Sequence, residues 1–219
     1  MSYFIEAAAE AMMNEGVDQL TIRSVSKIAG YNSATMYHYF ENLDELKKWG
    51  AIYCITNYFT ECCSILEKRA DSLYTLVEIW LTYCRYAFHN PQLYSYIFFS
   101  PQSASIQQNL KQYSRIFPGW VKHDLHDERI ARFITSPTTY DRCMYLVELC
   151  VKEGYFKEED QEDINTVAGI LTAGLQQTLY VQGKLVDEEM IQLALLDFRT
   201  FFNEYINIKL LKKPAINNL

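Results

Sequence analysis

Apolar residues recur at spacings of three and four along most of this sequence, with few helix-breaking residues between them. The 219 residues include only eight glycines and five prolines, and no apolar run alternates with polar residues as a strand would. Hydrophobic residues make up 49% of the chain and charged residues 21%, which excludes a disordered or fibrous protein. We therefore predict an all-α fold with two domains.

The first 40 residues are predicted to form three short helices. An amphipathic helix covers residues 3–15, and a second helix ends at Gly30, which lets the chain turn sharply. Asn32 or Ser33 can cap a third helix that runs to about Phe40. Two helices joined by a glycine turn are typical of the helix-turn-helix, whose second helix lies in the major groove of DNA.

The third helix has one apolar face and one face that is small and polar. At 100° per residue, Met36 and Phe40 share a face and are expected to anchor the helix. Hydroxyls can hold phosphates, and hydroxyls or imidazole can reach base edges. The alternative, that the tyrosines here are core residues, is disfavoured by the glycine turn, the cap and the flanking helices. The side chains left to meet DNA are Ser33, Thr35, Tyr37, His38 and Tyr39.

The segment IAGYNSATMYHYF at residues 28–40, with Thr21-Ile22 before it and Leu46 after it, resembles the DNA-binding domain of TetR-type bacterial repressors. The resemblance covers about residues 4–50. It implies a helix-turn-helix DNA-binding domain at residues 1–46 and a larger helical ligand-binding and dimerisation domain at residues 47–219. Together with neighbouring bases and small residues, it predicts the following DNA-contacting set: Thr21, Arg23, Lys27, Ser33, Ala34, Thr35, Tyr37, His38, Tyr39 and Lys47.

The charge of the N-terminal segment is unusual for a DNA-binding domain. The whole chain carries a formal net charge of −7, and residues 1–50 hold four bases against seven acids, a net charge of −3. Family members commonly have a base at the position of Ser33, a lysine at that of Leu43 and a basic arm before the first helix. Because each missing cation removes about one released counterion, we expect weaker binding or a smaller salt dependence.

Aromatic residues are concentrated in the part of the chain that the resemblance assigns to ligand binding. Most of the 17 tyrosines, 12 phenylalanines and three tryptophans lie in residues 51–219, and aromatic walls suit an aromatic or apolar small-molecule effector. The alternative is that each of these rings belongs to the core. The predicted ligand-binding residues are Tyr58, Trp80, Tyr83, Tyr113, Phe117, Trp120 and Tyr145.

Two long helices are predicted near the C-terminus, over residues 164–182 and 187–211, each with a wide apolar face. Two such helices from each of two subunits can form an isologous four-helix interface, and a homodimer would match paired DNA half-sites. The alternative is burial of these faces within one subunit. The predicted interface residues are Leu171, Gly174, Leu175, Thr178, Ile191, Leu195, Phe198 and Phe202.

The remaining sequence features exclude several classes of protein. The start MSYFIEAAAE lacks the cationic region of a signal peptide and the apolar runs are too short for a bilayer, so we expect a cytoplasmic protein without a membrane partner. The six cysteines have no metal-ligand spacing and are expected to be buried free thiols. No nucleophile elbow, phosphate-binding glycine loop or zinc-protease motif occurs, so no enzyme, cofactor or metal is expected.

We therefore predict a ligand-responsive, DNA-binding transcriptional regulator, specifically a repressor, that binds a double-stranded operator as a homodimer. The acidic N-terminal domain favours an alternative from another class. In that alternative the chain is a helical ligand-binding or interaction protein that has lost or weakened its operator binding.

Overall fold

The computed structural model describes residues 1–68, 71–119, 126–183 and 186–212, and within these residues the regular elements are all helical. This confirms the predicted all-α fold. Short 3₁₀ helices lie at Val17–Gln19 and Glu158–Asp160. The α-helices are α1 (Ser2–Glu15), α2 (Ile22–Ala29), α3 (Ser33–Met36), α4 (Leu43–Cys54), α5 (Thr56–Glu67), α6 (Ser72–His89), α7 (Pro91–Phe99), α8 (Ser103–Gln108), α9 (Leu110–Ile116), α10 (Glu128–Thr135), α11 (Thr139–Lys152), α12 (Gln161–Gln182) and α13 (Glu188–Lys209).

The helices pack into two compact units. The first unit contains Met1–Thr60 and Gln92–Lys122, and the second contains Glu61–Pro91 and His123–Leu219. The first unit therefore joins the three N-terminal helices to α4 and to the later helices α7, α8 and α9. This division describes packing, and the functional boundary predicted between residues 46 and 47 stays a prediction.

The first unit is built on a close crossing of α1 and α4. The side chains of Ala8 and Ala9 on α1 are buried, and Gly50 of α4 lies directly against them. A Cβ atom placed on Gly50 would lie 3.1 Å from the Ala8 Cβ, 3.2 Å from the Met12 sulfur and 3.3 Å from the Ala9 backbone nitrogen. Small residues on both helices thus set the distance between them.

The structure divides one helix that the sequence pattern predicts as continuous. Residues 43–68 form α4 and α5, separated at Ile55, whose N–H donates to the carbonyl of Ile52 rather than to that of residue 51. Immediately after the break, the Thr56 hydroxyl donates to the Tyr53 carbonyl at 2.8 Å. The Thr56 hydroxyl thereby gives a partner to one of the last carbonyls of α4, which a helix end leaves without an intrahelical bond.

The second unit is organised around α6, which packs against α11, α12 and α13. The Trp80 ring of α6 lies 6.2 Å from the ring of Phe198 and 6.4 Å from that of Phe202, both on α13. On the neighbouring face the Tyr83 hydroxyl donates to the Gln176 side-chain carbonyl at 3.3 Å. A buried aromatic cluster and a buried polar contact therefore fix the two long C-terminal helices to α6.

The six cysteines are free thiols, as predicted, and all but Cys54 are fully buried. Burial raises the pKa of the Cys63 and Cys150 thiols to about 12, so neither is a thiolate at neutral pH. Among the described residues, no helix has the length and apolar character that crossing a bilayer would require.

The crossing of α1 and α4 gives a stability prediction. Gly50→Val forces extra carbon atoms into a contact that is already at van der Waals distance, so we expect the free energy of unfolding to fall by about 1–3 kcal/mol. Urea unfolding followed by circular dichroism at 222 nm measures this. Gly169→Ala is the control, because the added methyl meets open space on α12 and should leave stability unchanged or raise it. Equal losses in both variants would show that the crossing at Gly50 is not tight.

Candidate nucleic-acid interface

The start of α2 is fixed by a reciprocal cap. The Thr21 hydroxyl oxygen accepts from the Ser24 N–H at 3.0 Å, while the Ser24 hydroxyl oxygen accepts from the Thr21 N–H at 3.1 Å. These bonds satisfy two backbone donors that a helix start leaves without intrahelical partners. The side chain of Thr21 is exposed, as are those of Arg23 and Lys27 further along the helix. The N-terminal end of α2 and its two bases therefore face solvent.

Gly30 makes the turn between α2 and α3. Its backbone is left-handed, with φ 73° and ψ 22°, and its N–H and that of Tyr31 both donate to the Ser26 carbonyl. Residues with a Cβ atom adopt this conformation only at a cost, so a glycine here allows the abrupt end of α2. The turn predicted from the sequence is the one observed.

The helix after the turn, α3, is a single turn long rather than the two turns that the sequence pattern predicts, and we call it the recognition helix. Asn32 caps it, because the side-chain oxygen accepts from the Thr35 N–H at 2.9 Å and from the Thr35 hydroxyl at 3.0 Å. Tyr37 to Tyr39 form a turn in which the Tyr39 and Phe40 N–H groups both donate to the Met36 carbonyl. Met36 and Phe40 are buried, as predicted.

The predicted DNA-contacting side chains lie mostly on the surface of the helix-turn-helix. Tyr37 is 55% exposed and Tyr39 is 44% exposed. Ser33, Ala34 and His38 are also exposed, whereas Thr35 and Lys47 are half-buried. The geometry leaves these residues accessible, and their contact with DNA stays a prediction.

An aromatic cluster supports the recognition helix and was not anticipated from the sequence. The Tyr3 ring stacks on Tyr31 at 4.4 Å between centroids and meets Tyr39 edge-on at 6.1 Å. A hydrogen bond with Tyr39, together with desolvation, raises the pKa of Tyr3 to about 12. Tyr39 therefore ties the end of the recognition turn to the start of α1. The sequence shows Tyr3 beside the apolar face of α1, but its partners Tyr31 and Tyr39 are distant in the sequence, so no local pattern indicates the cluster.

The predicted ligand-binding residues that the structure describes are divided between the two units. Tyr113 and Phe117 line an open cavity of about 530 Å³ in the first unit. In the same unit the Tyr58 ring packs against neighbouring aromatic rings. In the second unit, Trp80 and Tyr83 belong to the core around α6, and Tyr145 lies beneath the Arg132 guanidinium at 4.4 Å. Trp120 lies outside the described residues.

The structure also separates the predicted interface residues into two groups. Ile191, Phe198 and Phe202 are buried in the second unit, so they do not lie on a face available to another copy. Leu171, Leu175 and Leu195 are half-buried, and Gly174 and Thr178 are exposed. The apolar side chains that α12 and α13 do expose were missed: Ile170, Val181, Leu193, Leu196, Phe201 and Ile208.

The comparisons with known proteins agree with this architecture. Residues 4–47 match the family model for "Bacterial regulatory proteins, tetR family". A TetR transcription regulator from Haloarcula marismortui is 17% identical, with 95% of this chain and 97% of that chain covered and a TM-score of 0.57. A protein described as a transcriptional regulator from Saccharomonospora viridis, solved in complex with choline, is 15% identical with 97% of both chains covered and a TM-score of 0.57. A comparison with curated protein sequences found no match.

These findings confirm the predicted resemblance and extend it from the N-terminal segment to the fold of the whole chain. At these levels of identity the solved structures establish the fold alone. The roles of individual side chains rest on the geometry described above.

The cap of the recognition helix can be tested separately from any ligand. Asn32→Ala removes the acceptor for the Thr35 N–H and should lower the free energy of unfolding by about 1 kcal/mol. Asn32→Asp retains an acceptor at the same position and should stay close to the parent protein. Urea unfolding of both variants makes the comparison. Equal stability of Asn32→Ala and Asn32→Asp would mean that the cap does not hold α3.

Proposed function

We propose that this protein is a ligand-responsive transcriptional repressor that binds its operator as a homodimer. The match of residues 4–47 to the tetR family model and the fold shared with solved regulators of that type support this proposal. The observation that carries the proposal is the recognition helix together with the turn after it, in which Met36 and Phe40 are buried while Tyr37 and His38 are exposed. The second helix of a helix-turn-helix lies in the major groove and contacts base edges, and these exposed side chains are available for such contacts. We place its action in the cytoplasm, without a membrane partner.

The hydrogen bonds within the recognition turn define what Thr35 can offer to a base. Because the Asn32 side-chain oxygen has no proton, the Thr35 hydroxyl donates to it and keeps its lone pairs for other partners. Towards DNA, Thr35 is therefore an acceptor, suited to the amino groups of adenine or cytosine in the major groove. Tyr37 and His38 retain both donor and acceptor capacity and can reach bases or phosphates.

Only a few basic side chains of the helix-turn-helix segment are available to contact DNA phosphates. Arg23 and Lys27 are exposed on α2, whose capped N-terminal end can also direct backbone N–H groups towards a phosphate. Lys47 is half-buried on α4. With a net charge of −3 over residues 1–50, non-specific attraction is weak, and base contacts have to supply a larger share of the operator affinity.

The exposed apolar face of α12 and α13 is the surface we assign to the homodimer. Leu193, Leu196, Phe201 and Ile208 are each more than half exposed on α13, and Ile170 and Val181 are more than half exposed on α12. Several exposed apolar side chains on two helices that pack against each other favour an interaction site here. A second copy with the same surface can cover it through a two-fold axis, and a dimer that binds paired half-sites on one face of B-DNA needs them about 34–36 Å apart.

A small-molecule effector is the remaining part of the proposal. The Saccharomonospora viridis regulator of the same fold was solved with choline, which supports a small organic ligand here as well. A ligand acts on operator binding only to the extent that it binds the DNA-competent and incompetent forms with different affinity. No catalytic step is part of the proposal.

Operator recognition is tested by a gel shift on DNA from around the gene, at low and moderate salt. We expect Tyr37→Ala and His38→Ala to weaken operator binding by about 1–3 kcal/mol and to relax its sequence preference. Lys27→Ala should weaken binding to all sequences about equally and reduce the salt slope by about one. Met13→Ala, which changes an exposed residue of α1, is the control. If no variant alters binding, or no sequence preference exists, the chain is instead an interaction protein that has lost operator binding.

Dimerisation is tested on α13. Leu196 is 59% exposed, so Leu196→Glu should fold normally yet place a charge in the proposed interface. We expect a dimer for the parent protein and a monomer for the variant in sedimentation velocity, because an unpaired buried charge opposes association. Met13→Glu introduces the same charge at an exposed apolar residue of the first unit and should remain dimeric. A monomeric parent protein, or a dimeric Leu196→Glu variant, would rule out this interface.

A further inference from the structure

The first unit contains an open cavity bordered by α1, the end of α4, the start of α5, and α9 with the residues just after it. Its volume of about 530 Å³ lies within the range of 300–1,000 Å³ that small-molecule sites occupy. The bordering helices include α1 and α4, which also hold the helix-turn-helix through their tight crossing. The cavity is therefore large enough for a small ligand and lies within the same compact unit as the recognition helix.

Three aromatic rings form a corner of this cavity. The Phe117 ring stacks on the Tyr113 ring, with 4.8 Å between centroids and 21° between planes. The same Phe117 ring meets the Tyr53 ring edge-on, at 5.3 Å and 66°. All three side chains line the cavity, so it has an aromatic wall drawn from both α4 and α9.

One carboxylate lies beside the aromatic wall. Among the described residues that line the cavity, Glu6 of α1 carries the only formal charge. Burial and then the negative charge of Glu6 raise the pKa of Tyr53, and burial, with smaller contributions from Tyr53, Cys54 and Glu6, raises that of Tyr113. Both phenols therefore stay neutral at physiological pH. The remaining lining is mixed, with polar side chains such as Asn57 and Thr60 on α5 and the apolar side chains of Ile116 and Pro118.

We propose that this cavity binds an organic ammonium cation, with Tyr53, Tyr113 and Phe117 contacting its alkyl groups and Glu6 balancing its charge. Aromatic faces carry negative potential and attract a cation held within about 6 Å of the ring centre. A carboxylate at the rim adds direct attraction and disfavours anionic ligands. A purely apolar ligand would gain nothing from the charge of Glu6, whereas a quaternary or substituted amine uses both the aromatic rings and the carboxylate.

The cavity also links the ligand to the DNA-binding unit. A cation held between Glu6 of α1 and Tyr53 of α4 contacts the two helices whose crossing at Gly50 supports the recognition helix. Binding of the cation requires only the cavity, whereas its role as the effector rests on the proposed function.

Binding is tested on the full chain with benzyltrimethylammonium as the probe, by isothermal titration calorimetry. Benzyl alcohol and benzoate carry the same ring without the positive charge. We expect the cation to bind and the two other compounds to bind at least tenfold more weakly, since cation–π and carboxylate contacts depend on the charge. Equal binding of benzyl alcohol, or no binding of the cation, would overturn the proposal.

Variants on α1 and α4 locate the site. Glu6→Gln should weaken the cation by about tenfold at low salt. Glu10→Gln removes the same charge one helical turn further along α1, away from the lining residues, and should leave affinity unchanged. Tyr53→Leu removes a ring and should weaken binding, while Tyr53→Phe keeps the ring and should largely preserve it. If Glu6→Gln and Glu10→Gln behave alike, the cation binds elsewhere and the assignment is wrong.

A gel shift with and without the cation separates the two proposals. Cation binding that depends on Glu6, in a protein that binds no operator, would support the cavity and reject the regulator. Sequence-specific operator binding by a protein that ignores the cation would support the regulator and reject the cavity.

Discussion

A recognition helix of a single turn is not stable by itself, so it depends on packing against the neighbouring helices of the first unit. Isolated helices shorter than about 12–15 residues are marginal in water, so α3 depends on side chains buried outside it. Met36 and Phe40 supply that burial, and the Phe40 ring meets the Phe4 ring of α1 edge-on at 6.5 Å. Because α1 packs closely against α4 at Gly50, the crossing of these two helices fixes the surface on which the recognition helix packs.

The contacts that hold the recognition helix in place also determine which hydrogen-bonding groups it exposes on its surface. The Asn32 side-chain oxygen that caps α3 also accepts a hydrogen bond from the Thr35 hydroxyl, so the residue that caps the helix leaves Thr35 as an acceptor towards other partners. Tyr39 also has two roles, because its ring packs edge-on against Tyr3 while part of the side chain stays exposed to solvent. The same side chains therefore hold the local structure and belong to the surface proposed to contact DNA.

The features that were predicted correctly are those that depend on near neighbours in the sequence. The cap at Asn32 and the turn at Gly30 involve residues within five positions, and both occur as expected. The Tyr3–Tyr31 pair joins two segments brought together only by the fold, and no local pattern specifies it. The sequence also could not show which face of α13 is exposed, because phenylalanines lie on both of its faces. Phe198 packs against Trp80, while Phe201 is exposed to solvent.

The acidic character of residues 1–50 connects the two proposed binding activities. With seven acids and four bases, this segment gains little affinity from the phosphate backbone, so discrimination between sites depends on base contacts and on pairing two copies. Glu6 is one of those acids, and it is the charge that faces the aromatic corner at Phe117. A bound monocation would neutralise Glu6 and change the net charge of this segment by one. Its effect on operator binding would therefore combine an altered α1–α4 contact with an electrostatic contribution that falls as salt rises.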